Sequence, residues 1–239
     1  GGFVRDIFLR RPNLDIDVVV EGDGIAFARK IASKHKEARV KAHKMFGTAV
    51  ITFPDYCKVD IASARLEYYE HPAALPQVEM SSIKLDLYRR DFTINTLAVR
   101  LNPSYFGELI DFFGARKDLK EKTIRVIHNL SFVEDPTRVF RAIRFEQRFG
   151  FRVGKLTASL IQNAVKHDFF HKLSGKRLAG EVRLILQEED PGPAVSRLAE
   201  FDLLKFIHPK LVFDRKRREV FKKVKQVSNT CSLMVGQWF

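Results

Sequence analysis

Asp15 and Asp17 lie two residues apart at the head of Asp15-Ile16-Asp17-Val18-Val19-Val20. On a strand this spacing sends both carboxylates to one side. Two like charges so placed raise each other's proton affinity unless a cation lies between them. Hard oxygen donors suit Mg²⁺, which keeps several waters and shares its coordination sphere with substrate phosphates. A pair of such ions, about 3.5–4 Å apart, clamps the attacking and leaving oxygens of a phosphoryl transfer. Taken alone, Asp-x-Asp is as readily an ordinary pair of surface acids, and the neighbouring motifs must decide.

Three further clusters supply that context. Gly1-Gly2-Phe3-Val4-Arg5-Asp6 opens a helix on bare backbone amides, where Gly2 lets an anion approach and Arg5, one turn on, adds a charge-assisted bond to a phosphate. A plain glycine turn with a surface arginine fits the same residues. Arg89-Arg90-Asp91-Phe92-Thr93-Ile94-Asn95 sets two guanidiniums beside a capping acid and an amide. Arg90, Asp91 and Asn95 there suit the ribose and phosphates of a nucleotide, or simply a solvated basic pair with an N-cap. In Glu134-Asp135-Pro136-Thr137-Arg138-Val139-Phe140-Arg141-Ala142-Ile143-Arg144, residues three apart share neighbouring helix faces. Asp135 is an acceptor and Arg138 a donor. Adenine and cytosine each present an amino donor beside a ring-nitrogen acceptor, so this pair complements both and opposes the reversed polarity of uracil and guanine. Arg141 and Arg144 continue toward phosphates. An intrahelical Asp–Arg ion pair explains the spacing equally well.

These residues need elements to place them. Residues 3–8 read as helix, 15–20 as a half-buried strand, 22–24 as a turn and 25–35 as helix. Residues 49–53 and 57–61 read as two strands joined at Pro54-Asp55, and 70–82, with Pro72 and Pro76, as a loop. Asp91 predicts a capped helix over 91–99, followed by a short strand at 109–112. Beyond Lys120 the pattern is helical. Asp135-Pro136 is an N-cap followed by proline at the first position of a helix that stops at Gly150. Further helices are predicted at 155–166, 174–187 and 193–201, with Pro191-Gly192-Pro193 as a hinge. The Arg215-Lys216-Arg217-Arg218 run reads as a solvated face before it reads as an RNA contact.

The 239 residues carry 42 Lys and Arg against 29 Asp and Glu, a net +13 that favours a polyanionic partner, nucleic acid foremost. The 45% apolar content excludes disorder as the main state, and no apolar run reaches membrane-spanning length. Cys57 and Cys231 make neither a disulfide framework nor a zinc cluster, which points to a reducing compartment, the cytoplasm. The chain opens on Gly1 without Met and closes on Gln237-Trp238-Phe239, and it reads as part of a longer protein.

In this order, the four motifs resemble the class II tRNA nucleotidyltransferase and bacterial poly(A) polymerase family. Asp111-Phe112-Phe113-Gly114-Ala115-Arg116-Lys117-Asp118-Leu119 resembles its motif between head and neck. The resemblance implies an α+β fold: a polymerase-β-like nucleotidyltransferase palm (1–120), a helical neck for base recognition (121–190), and the start of a helical, tRNA-binding body (191–239). It also implies that Asp15 and Asp17 are catalytic and hold Mg²⁺; Asp60, on the strand at 57–61, is a candidate third metal-binding carboxylate or equally an ordinary surface acid at a strand end. Gly2, Arg5 and Arg90 would contact the triphosphate or ribose, Asp135 and Arg138 would read the base, and Arg141 and Arg144 would add nucleotide contacts.

Two departures from the family pattern stand out. In Ser174-Gly175-Lys176-Arg177-Leu178 a lysine occupies a usually acidic position, although Glu181 is retained. The stretch 67–76 lacks the basic character common in enzymes that add all three nucleotides, and so resembles the A-adding branch, whose members often carry regulatory domains upstream. Lys44-Met45-Phe46-Gly47-Thr48-Ala49 follows the tRNA-enzyme pattern rather than that of poly(A) polymerases. The expectation is transfer of AMP from ATP to a tRNA 3′ end. The alternatives are CCA addition with CTP as well, poly(A) synthesis, and a non-catalytic RNA-binding module.

Overall fold

The computed structural model describes residues 1–68 and 77–224, and its contacts divide the chain into Gly1–Asn129 and a second unit beginning at Leu130. In the first unit, α1 (Gly2–Phe8) leads into β1 (Ile16–Val20), α2 (Gly24–Ala32), β2 (Arg39–His43), β3 (Thr48–Thr52) and β4 (Lys58–Ser63). The sheet order is β1-β4-β3-β2, with β1 parallel to β4 and the other pairs antiparallel. The predicted strands at 15–20, 49–53 and 57–61 are present. β2 is additional: its Arg-Val-Lys-Ala-His sequence carries exposed, largely charged residues at alternate positions, as suits a sheet edge.

One face of this sheet is closed by α2. Ala28, Ala49, Ile51 and Ile61 form its core, joined by Val18, Val20, Ile25 and Val59. Full burial of Ile51 and Ile61 contributes roughly 1.5–3 kcal/mol each. The close seating of α2 depends on Gly24. A Cβ there would lie 2.8 Å from the Ser63 amide nitrogen and 2.9 Å from the Ala62 carbonyl carbon, where only backbone could yield. Since Val18, Val20, Val59 and Ile61 face α2, strand alternation turns Asp17 and Asp60 to the opposite face.

β5 (Arg65–Tyr68) pairs antiparallel with β6 (Gln77–Met80), so the predicted loop over 70–82 is strand at its described end. Residues 70–76 of that loop lie outside the described residues, as does the stretch beyond Tyr68 used to separate the A-adding branch. α3 (Ile83–Tyr88) follows, capped by Ser82. The helix expected over 91–99 does not form. Residues 93–95 make a single 3₁₀ turn, and β7 (Ala98–Val99) then pairs with β8 (Leu109–Ile110). Positions 91–97 are all buried, so there is no solvent face to complete an amphipathic helix. The Thr96 hydroxyl donates to the Thr93 carbonyl instead. α4 (Ala115–Lys120) starts where the Asp111 carboxylate accepts from the Ala115 and Arg116 amides.

The second unit is helical but for one two-residue strand: α5 (Ser131–Glu134), α6 (Thr137–Phe149), α7 (Lys155–Lys166), α8 (Gly175–Leu186), α9 (Pro191–Glu200) and α10 (Leu204–Ile207). α6 is its axis, with Val139, Phe140, Ala142 and Ile143 fully buried and α8 and α9 packed against it. It ends at Gly150 in the left-handed region (φ 63°), as its sequence predicts. Pro191-Gly192-Pro193 is no hinge; it forms the first turn of α9, where a proline's missing amide costs nothing. Residues 215–224 are helical, and Arg215-Lys216-Arg217-Arg218 is exposed. Cys231 and Gln237-Trp238-Phe239 lie outside the described residues. Among the described residues no helix is long and apolar enough to cross a membrane.

Candidate active site

The acids are brought together by strand register. Asp17 on β1 stands directly opposite Asp60 on parallel β4. Asp15 lies just before β1, where its amide donates to the Asn13 side chain at 2.8 Å. Asp17 reaches solvent, yet loss of water on its protein side holds its carboxyl above the usual range. The charge of Asp15 pushes it the same way, Arg90 pulls against both, and Asp60 adds a smaller upward push. This is the electrostatic state that a divalent cation relieves. Among the described residues no three His, Cys, Asp or Glu side chains gather closely enough to hold an ion by themselves. Two carboxylates completed by water and phosphate oxygens still match the donor set of Mg²⁺.

Arg90 is held beside these acids from below. Asp86, completely buried, accepts from Arg90 Nη2 at 3.2 Å and from Arg89 Nη2 at 2.7 Å and Nε at 3.1 Å. Glu67 accepts from Arg89 Nη1 at 2.7 Å and Arg65 Nη2 at 3.1 Å. Asp86 did not stand out in the sequence reading, although its place three and four residues before Arg89 and Arg90 on a helix puts it within their reach. The buried Nε of Arg90 has no partner. A Cβ at Gly1 would lie 2.8 Å from Arg90 Nη1 and 3.7 Å from Asp17 Oδ2, whereas one at Gly2 would make ordinary contact, 3.5 Å from Arg5. Of the two glycines, Gly1 is the one whose missing side chain keeps open the space between Arg90 and Asp17.

Arg5, Asp91 and Asn95 form a buried chain that Arg90 joins by donating from Nη1 to the Asn95 carbonyl at 3.4 Å. Arg5 donates to both carboxylate oxygens of Asp6 (2.7 and 2.8 Å) and to Asn95 Oδ1 (2.5 Å). Asn95 donates in turn to Asp91 (2.8 Å), and Asn13 donates to Asp6 (2.6 Å). These expected nucleotide contacts are therefore turned toward one another, tying α1 to the 3₁₀ turn. Asp118, on α4, accepts from the Thr93 hydroxyl at 2.5 Å and faces Arg125 at 3.0 Å.

In the second unit α6 begins one residue later than expected, with Pro136 at its N-cap position; Asp135, which ends α5, accepts from the Thr137 amide (3.0 Å) and hydroxyl (2.6 Å). Its carboxylate is also met by Arg177 of α8 at 2.8 Å. Arg138 is buried and donates to the Ser131 hydroxyl at 2.9 Å, with Glu134 at 3.6 Å. Arg141 and Arg144 each face Glu181 at 3.9 Å. Arg144 is 5% exposed, and desolvation lowers its pKa despite Glu181 and Glu188. Arg148 grips Glu188 through Nε and Nη2. The sequence carries this pattern: Glu181 on α8 and Glu188, two residues past its end, match arginines at 141, 144 and 148 on α6. Arg177 was legible only as part of the stretch 174–178.

The poly(A) polymerase head domain family model matches residues 1–125. The A-adding tRNA nucleotidyltransferase of Geobacter sulfurreducens is 63% identical over 227 residues, covering 95% of this chain and 26% of that protein. A solved CCA-adding enzyme in an apo form superposes with a TM-score of 0.90 at 47% identity, over all of this chain and 55% of its own. The Thermotoga maritima CCA-adding enzyme complexed with tRNA_CCA matches with a TM-score of 0.80 at 45% identity, over 92% of this chain and 50% of its own. The chain thus spans about a quarter of the length of the Geobacter relative.

Proposed function

Since this chain belongs to the poly(A) polymerase head domain family, with the α+β, polymerase-β-like fold of the tRNA nucleotidyltransferases, we propose that it adds AMP from ATP to the 3′ end of tRNA. The RNA terminal 3′-hydroxyl oxygen bonds to the α-phosphorus, the bond to the β-phosphate oxygen breaks, and pyrophosphate leaves. The observation that carries the reading is the placement of Asp17 level with Asp60, behind Asp15 and beside an Arg90 anchored on buried Asp86.

Asp15 and Asp17 would hold Mg²⁺, with Asp60 adding charge at the same level. When bound there, the ion lowers the hydroxyl's pKa and offsets the charge that develops on the phosphate. Arg90, partly exposed beside Gly1 and Asp17, is placed to bind the triphosphate or ribose. Arg5, Asp91 and Asn95 act as positioning residues, because their polar atoms are spent on one another. Asp135 reads the Watson–Crick edge of the incoming base and Arg177 fixes its carboxylate, while buried Arg138, held by Ser131 and Glu134, positions the start of α6. Half-exposed Arg141 adds a nucleotide contact, whereas buried Arg144 holds α6 to α8.

The names of the A-adding relatives favour ATP alone. Solved CCA-adding enzymes at 44–47% identity keep CTP use as the second reading. The deciding experiment offers ATP and CTP singly, with Mg²⁺, to tRNAs ending before, within and one short of CCA. Extension only of the tRNA lacking its last A supports the first reading, CTP incorporation the second, and no transfer from either triphosphate contradicts both.

A further inference from the structure

The acids of α1 and α4 are turned inward. Asp6, in α1, is buried against Arg5 and Asn13; Asp118, the single acid of α4, is buried against Thr93 and Arg125. What remains outward on α4 is Arg116, Lys117 and Lys120, all exposed. Just past α1, Arg10 and Arg11 are exposed as well. Between the end of α1 and α4 runs a groove of about 470 Å³, lined by Phe8, Leu9 and Leu119 and by those three cations. Phe8 stays 46% exposed there, so apolar surface is left uncovered inside a cationic rim. Exposed Glu121, just past α4, reaches Lys117 only at 4.0 Å.

An apolar floor with a positive rim and no outward acid on α4 fits a sugar-phosphate chain: sugars and bases against the floor, phosphates at the rim. We propose that this groove binds the backbone of the RNA substrate at a distance from the reacting end, an assignment that rests on the RNA 3′-end transferase reading above. α1 links the two places, since Gly1 at its start borders Arg90 and Asp17 while Phe8 and Leu9 at its end line the groove. RNA gripped there is referenced to the carboxylates through one short rigid helix.

The test compares Arg116→Gln/Lys117→Gln/Lys120→Gln in the whole chain with a control carrying Lys30→Gln/Lys34→Gln/Lys36→Gln, which removes equal charge from exposed positions in and just beyond α2. tRNA binding is titrated from 50 to 200 mM salt, and AMP transfer is followed as kcat and KM for the tRNA. Each lost phosphate contact flattens the log–log salt dependence by about 0.7–0.9, so the groove variant should flatten it by about 2–3 and raise KM about tenfold or more, with kcat within about twofold. The control should do neither. An unchanged slope and KM in the groove variant, with wild-type transfer intact, overturns the groove while leaving the transferase reading standing. Equal losses in both variants overturn it too, because they mark a general charge effect. Absence of transfer in the wild type counts against the transferase reading, and tRNA binding with an unflattened slope would then still reject the groove.

Discussion

Asp17 and Asp60 face one another across parallel neighbouring strands, on the side of the sheet that α2 leaves uncovered. If both charges serve the metal, Asp60→Ala should raise the Mg²⁺ concentration needed for half-maximal transfer about 10–100-fold while leaving measurable activity at saturation. Rate against Mg²⁺ concentration checks this. An unaltered requirement would reduce Asp60 to a neighbour of the site.

Asp86 carries no solvent exposure and holds two arginines. Asp86→Asn should cost about 3 kcal/mol in urea unfolding, because two partly buried guanidiniums lose their counter-charge. It should also raise KM for ATP through a loosened Arg90. A loss below about 0.5 kcal/mol would mean that Glu67 alone suffices to hold this cluster.

Arg177 supports Asp135 at 2.8 Å. Asp135→Ala should lower the ATP-over-GTP ratio of kcat/KM by roughly 5–150-fold, the range of about 1–3 kcal/mol that a good base-edge contact contributes. Arg177→Ala should lower it in the same direction by less. Unchanged selectivity in Asp135→Ala would refute base reading by this residue.

Asp118 has its carboxyl raised chiefly by desolvation, against the Thr93 hydrogen bond and Arg125. The folded state therefore binds this proton more tightly than the unfolded state. That contribution is fully present below the ordinary value of 3.8 and disappears as pH rises through the higher folded value. Wild type should thus gain stability relative to Asp118→Asn as pH falls through that window, read from urea midpoints at a series of pH values. A gap that narrows on acidification would reverse the assignment.

Much of this was legible in the residues themselves. Alternation gave β1, and Gly150 and the Asp135-Pro136 pair bounded α6 through local backbone chemistry. Where tertiary burial ruled, local reading failed: Asp91 looks like a cap, but positions 91–97 are buried throughout and the helix does not form. β2 was missed because an edge strand with charged residues at alternate positions looks like a loop. The inward turn of Arg5 and Asn95 depends on a contact 90 residues apart, which no spacing rule contains. Asp86 escaped for the opposite reason: an acid on a helix is unremarkable until its complete burial beneath two arginines is seen.

The most direct test is transfer of label from α-labelled ATP to a tRNA lacking its last A, comparing wild type, Asp15→Asn and Asp17→Asn at saturating Mg²⁺. One nucleotide should be added by wild type, with each variant slower by about 10²–10³ or more while still binding ATP. Near-normal turnover in both variants would contradict the account.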